Sequence, residues 1–90
     1  MDKKILAFIQ LVVDITNYDN VAFPLLRFSA GLNAAEIIYP EKDKDGNRSR
    51  ISRSMISMLE DHVHLSETLQ IAYEISIIDE RLTVLVRLKP

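Results

Sequence analysis

Lys42, Lys44, Arg48, Arg50 and Arg53 fall within 12 consecutive positions, interleaved with Asp43, Asp45, Ser49 and Ser52. Arginine and serine beside a helix start suit phosphate contacts. Guanidinium groups, hydroxyls and the free backbone N–H groups of a first turn all donate outward there. The sequence places a helix start at about Ser49 or Ser52, so these five cations are the candidate binding residues. The same stretch also reads as an ordinary solvated run of mixed charge. The whole chain has a formal net charge of −2 and a pI near 5.6, whereas a general nucleic-acid binder shows a basic balance.

Other sets of reactive residues fail at identifiable points. Glu41, Asp43, Asp45 and Gly46 follow the first half of a calcium-binding loop, with oxygen ligands at alternate positions and a glycine turn. The position that needs a bidentate glutamate is Ser52, and lysines occupy the loop. His62 and His64 stand beside Glu60 and Asp61. On a strand both rings would share a side, but on a helix they diverge by about 160°, and no third ligand is evident. The absence of cysteine excludes disulfides, thiolate metal sites and a cysteine nucleophile. None of the seven serines sits in a Gly-x-Ser-x-Gly elbow, and two glycines cannot make a phosphate loop. No nucleophile, base and oxyanion hole can be assembled, so the chain is expected not to be an enzyme and to need no metal or cofactor.

The elements that would position these residues are read from periodicity. From Asp2 to about Asn17 nearly every position is apolar except a narrow strip of Lys3, Gln10 and Asp14. A helix apolar on most sides must be buried on most sides. It is either a core helix or a surface for another chain, and Phe8, Ile9 and Val12 are its candidate oligomer or partner residues. Pro24 suits a first helical position, and Leu25, Phe28, Leu32 and Ala35 recur at helical spacing. The segment 24–39 is thus one helix, or a short helix ending at Gly31 and a strand over Glu36 to Tyr39. A further helix to His62 carries Ile51, Met55, Met58, Leu59 and Val63 on one face. At the C-terminus Ile71, Tyr73, Ile75 and Ile77 alternate with Ala72, Glu74 and Ser76, and Leu82, Val84, Val86 and Leu88 with Thr83, Leu85 and Arg87. A reversal at Asp79-Glu80 pairs Ile77 with Leu82 and Ile71 with Leu88, giving a half-buried hairpin. Leu85 interrupts its polar face and joins the candidate partner surface.

The 90 residues make one domain, 1–90, of α+β class: two or three helices followed by a C-terminal antiparallel hairpin. Three helices and a hairpin resemble the winged-helix architecture in element order, with Ser49 to His62 in the recognition-helix position. The acidic tip Asp79-Glu80 and the long preceding loop depart from that pattern. The apolar stretch after Lys3-Lys4 spans about 11 residues, too few to cross a bilayer, and no cleavage site follows it. Absence of cysteine favours a cytoplasmic setting. The apolar fraction is 48%, at the upper end for a soluble domain. The expected function is therefore a small accessory or regulatory protein that binds another protein, itself forming a homo-oligomer. The alternative is a winged-helix-like nucleic-acid binder. Since a lone hairpin is marginal, a further strand is expected, over Glu36 to Tyr39 or from a second subunit, and one sheet edge is expected to be open.

Overall fold

The computed structural model describes residues 2–17, 23–64 and 66–89. The first helix, α1, runs over Lys3–Asn17 and begins at a capped end. The Asp2 carboxylate accepts the Lys4 N–H at 2.7 Å, and its carbonyl accepts the Leu6 N–H at 3.0 Å. Phe8, Leu11, Val12 and Ile15 form the buried face of α1, while Leu6 is 57% exposed.

Residues 24–39 hold the strand expected over Glu36 to Tyr39 but not the helix expected before it. They form two strands, β1 (Leu25–Phe28) and β2 (Ala34–Ile38), paired antiparallel with Leu26 opposite Ile37 and Phe28 opposite Ala35. The spacing of Leu25, Phe28, Leu32 and Ala35 fits a helix, yet Leu26 with Phe28, and Ala35 with Ile37, also alternate as strands require. The connecting loop decides between them. Ser29 accepts the Leu32 N–H on its carbonyl at 3.0 Å and the Ala34 N–H on its hydroxyl at 3.2 Å. Leu32 takes a left-handed φ of 59°, which reverses the chain. The element order is therefore α-β-β-α-β-β rather than three helices and a hairpin, and the winged-helix resemblance is lost.

The charged segment 41–49 is a small hydrogen-bonded turn. Lys42 and Arg48 form an isolated antiparallel bridge, and Asp43 N–H donates to the Asn47 carbonyl at 2.7 Å. The Asp43 carboxylate accepts the N–H groups of Asp45 at 2.9 Å and Asn47 at 3.1 Å. Gly46, at φ 80°, supplies the left-handed step. Helix α2 spans Arg53–His64, and the Ser52 hydroxyl caps it by accepting the Met55 N–H at 3.2 Å.

Strands β3 (Ile71–Ile78) and β4 (Arg81–Leu88) form the C-terminal hairpin in the expected register, Ile71 opposite Leu88 and Ile77 opposite Leu82. The turn is the two residues Asp79 and Glu80, both left-handed at φ 51° and 66°. This is the backbone that suits the twist of a two-residue hairpin; Asp79 is favoured at its first position, whereas Glu80 stands where glycine is preferred. The sheet order is β1-β2-β4-β3, antiparallel throughout. The further strand expected over Glu36 to Tyr39 is β2, and β1 adds a fourth that was not expected. One apolar cluster joins Phe8, Val12 and Ile15 of α1, Met55 and Leu59 of α2, and Ala35, Ile37, Ile71, Val84 and Val86 of the sheet. By the register these strand residues share one face, so both helices cover one side of the sheet and leave the other open.

Candidate protein-binding edge

Strand β3 is the long edge of the sheet. Its inner side pairs with β4, and no strand among the described residues pairs with its outer side. The phase of the ladder is fixed at its root, where Lys89 N–H donates to the Gln70 carbonyl at 3.0 Å. In an antiparallel ladder alternate residues turn their backbone groups to opposite sides. Gln70, Ala72, Glu74, Ser76 and Ile78 therefore face β4. Ile71, Tyr73, Ile75 and Ile77 direct their N–H and C=O groups to the open edge.

The side chains of the same four residues lie on the helix-covered face, but the cover runs out along the strand. Ile71 is fully buried, Tyr73 is half-buried, Ile75 is 45% exposed and Ile77 is 68% exposed. Helix α2 packs on the root of the hairpin and the tip projects beyond it. The result is an apolar shelf beside a row of unpaired backbone groups.

Two clefts border this shelf. One of about 390 Å³ runs along the edge between α2 and β3, lined by Glu60, Val63, His64, Tyr73, Ile75 and Lys89 among others. Within it the Tyr73 hydroxyl donates to Glu60 Oε1, and Glu60 Oε2 meets His64 Nε2 at 2.9 Å. The hydrogen bond to Glu60 raises the Tyr73 pKa above its ordinary value, with smaller contributions from burial and the carboxylate charge. The other cleft, about 760 Å³, lies at the tip between the 41–49 turn and the hairpin, and includes Lys42, Arg48, Ser49, Ile77, Arg81 and Leu82. The Ser49 hydroxyl is buried with no hydrogen-bond partner among the described residues. Glu41, Asp79 and Glu80 also line this cleft, so its wall mixes cations and acids with apolar residues.

The predicted cations are only partly brought together. Lys42 and Arg48 line the tip cleft, while Lys44 is exposed on the turn. Arg50 is exposed in the segment before α2, and Arg53 is the first residue of that helix. Because α2 starts after Ser52, Arg48 and Arg50 do not stand on its first turn. Of the predicted partner surface, Phe8 and Val12 are fully buried within the single chain. Ile9 and Leu85 are half-buried. Leu85 lies on the open face of the sheet, between Glu36 and Glu74 in register, and Arg27 holds Glu36 there at 2.7 Å. His62 and His64 diverge on α2: His62 Nδ1 lies 3.0 Å from the Met58 carbonyl. No group of three or more potential metal ligands occurs among the described residues.

Alternation alone places Ile75 and Ile77 on the buried face of the half-buried hairpin. The signal that marks them otherwise is composition. Segment 71–78 carries one charge, Glu74, and none of the lysine or proline that usually guards a sheet edge.

The fold and this edge define a two-layer α+β domain with an open strand. The chain matches no family model, no curated protein and no solved structure at a significant level. No helix among the described residues is long and apolar enough to cross a membrane.

Proposed function

We propose that the protein is a non-enzymatic binding module that captures an extended apolar segment of a protein along the free edge of β3. The observation that carries this reading is the coincidence, at Ile75 and Ile77, of exposed apolar side chains with backbone groups aimed away from the sheet. An added strand would satisfy the backbone and bring side chains onto the shelf at every second position, which is how β-strand addition combines affinity with specificity. The second edge fits this role less well, because β1 has four residues. The mixed charges at the tip would select the orientation of the bound segment rather than supply its affinity.

A displayed library of random peptides tests the reading with a defined probe. Selected peptides should alternate apolar residues, bind with weak salt dependence, and lose binding to Ile77→Asp while that variant stays folded. Binding that is equal for Ile77→Asp and the parent contradicts it.

A further inference from the structure

The edge strand is complementary to itself. We propose that the segment captured at β3 is the β3 strand of a second copy, paired antiparallel about a two-fold axis at Ile75, so that two four-stranded sheets become one of eight. This rests on the edge-binding reading and names the partner for it.

The register follows from backbone phase and charge. Only residues with outward backbone groups can bond across the edge, so Ile71, Tyr73, Ile75 and Ile77 must meet one another. The axis then passes through a whole residue of β3. Centring on Glu74 would set Glu74 against its own copy in a non-hydrogen-bonded pair, the closest spacing in a ladder, and like charges directly opposite are destabilising. Centring on Ser76 would shorten the overlap and set Tyr73 against the turn residue Asp79. Centring on Ile75 keeps Glu74 from its own copy and retains the longer overlap of residues 72–78, with Asp79 reaching only Ile71 at the end of the ladder. Ile75 meets Ile75 and Tyr73 meets Ile77 on the helix side, while Glu74 meets Ser76 and Ala72 meets Ile78 on the open side. Every apolar residue left exposed at the tip thereby gains an apolar or aromatic partner, including Ile78, which is 41% exposed.

The charges at the ends agree with this register. The acidic turn Asp79-Glu80 of one copy arrives opposite Ile71 and Gln70 of the other. Gln70 is paired to Lys89, the basic residue at that end of the edge cleft. The strained turn has its tip where a partner would hold it. Without a partner, a run of eight residues rich in isoleucine and lacking Lys or Pro is an open template for uncontrolled pairing. A closed two-fold pairing consumes it.

The chain has no cysteine, so single-cysteine variants report the register directly. Opposed residues of a hydrogen-bonded pair sit about 5.5 Å apart at Cα, within disulfide reach. The experiment compares Ile75→Cys, Glu74→Cys and Ile77→Cys under mild oxidation, alongside light scattering of the parent over a concentration series. The parent should be a dimer, and Ile75→Cys should form covalent dimer on the order of tenfold faster than the other two, whose thiols lie beyond bridging distance or off the axis. Faster crosslinking of Glu74→Cys or Ile77→Cys, equal rates for all three, or a parent that is monomeric at every concentration overturns the pairing. A monomer that still binds selected peptides in an Ile77-dependent way removes the second copy alone. A monomer whose peptide binding ignores Ile77 removes the edge-binding reading as well.

Discussion

Ile71 and Ile77 are the same side chain, on the same strand and the same face of the sheet, yet one is fully buried and the other is 68% exposed. The difference is what lies above them. At the root of the hairpin α2 brings Met55 and Leu59 into the cluster that contains Ile71. At the tip the sheet extends past the helix, and Ile77 borders an open cleft. Alternation decides which face a strand residue takes, and the length and placement of the covering layer decide whether that face is inside. A hairpin longer than its cover leaves part of a core-type pattern at the surface, where it is open to contact instead of serving as packing.

The strongest way to break this contrast is to truncate both ends. Ile71→Ala should cost about 2–5 kcal/mol in chemical denaturation, the range for deleting a buried aliphatic side chain. Ile77→Ala, measured in dilute protein, should stay within about 0.5 kcal/mol, as expected of a surface position. Equal losses would mean the tip is covered after all.

The cover itself can be loosened next. Ser52→Ala removes the hydroxyl that accepts the Met55 N–H and should cost about 1 kcal/mol. Because α2 packs on the root, amide protection near Ile71 should fall with it while the tip is unaffected. At the other end Glu80→Gly relieves the left-handed φ of 66° and should stabilise the chain by about 1 kcal/mol. A destabilised Glu80→Gly variant would show that the turn is held by contacts that outweigh its strain.

The smallest effect concerns the middle of the strand. Tyr73 donates to Glu60, and this raises its pKa. The neutral phenol is therefore favoured in the folded state, and its contribution is present below the ordinary tyrosine range and lost as pH rises through the raised value. Ultraviolet titration should find Tyr73 ionising later than the usual value of about 10. Glu60→Gln should move it back down, and an unchanged titration would remove the hydrogen bond as its cause.

Much of the scaffold was legible in the residues. Asp2 and Ser52 both cap helices, and alternation with the Asp79-Glu80 reversal gave the hairpin register pair by pair. In segment 24–39 the strand over Glu36 to Tyr39 was legible as one of two readings and is β2, but β1 was not, since Leu25, Phe28, Leu32 and Ala35 satisfy a helical period while neighbours satisfy a strand period. What separates the two is a loop built by the Ser29 side chain and a left-handed Leu32, neither of which has a strong sequence signature. The apolar girth of α1 was legible as a demand for burial, and Phe8 and Val12 meet that demand inside one chain. The edge was anticipated only as a consequence of hairpin order. That it would be β3, and that Ile75 and Ile77 would lie beyond the reach of α2, depends on where two layers end relative to each other.

The most direct test of the edge is amide hydrogen exchange along β3 at low and high protein concentration. The amides of Glu74 and Ser76 face β4 and should be protected at both. Those of Ile75 and Ile77 face outward and should exchange freely when dilute and become protected when concentrated, as a strand adds across them. Protection of Ile75 and Ile77 that does not change with concentration, or free exchange at both, would contradict the account.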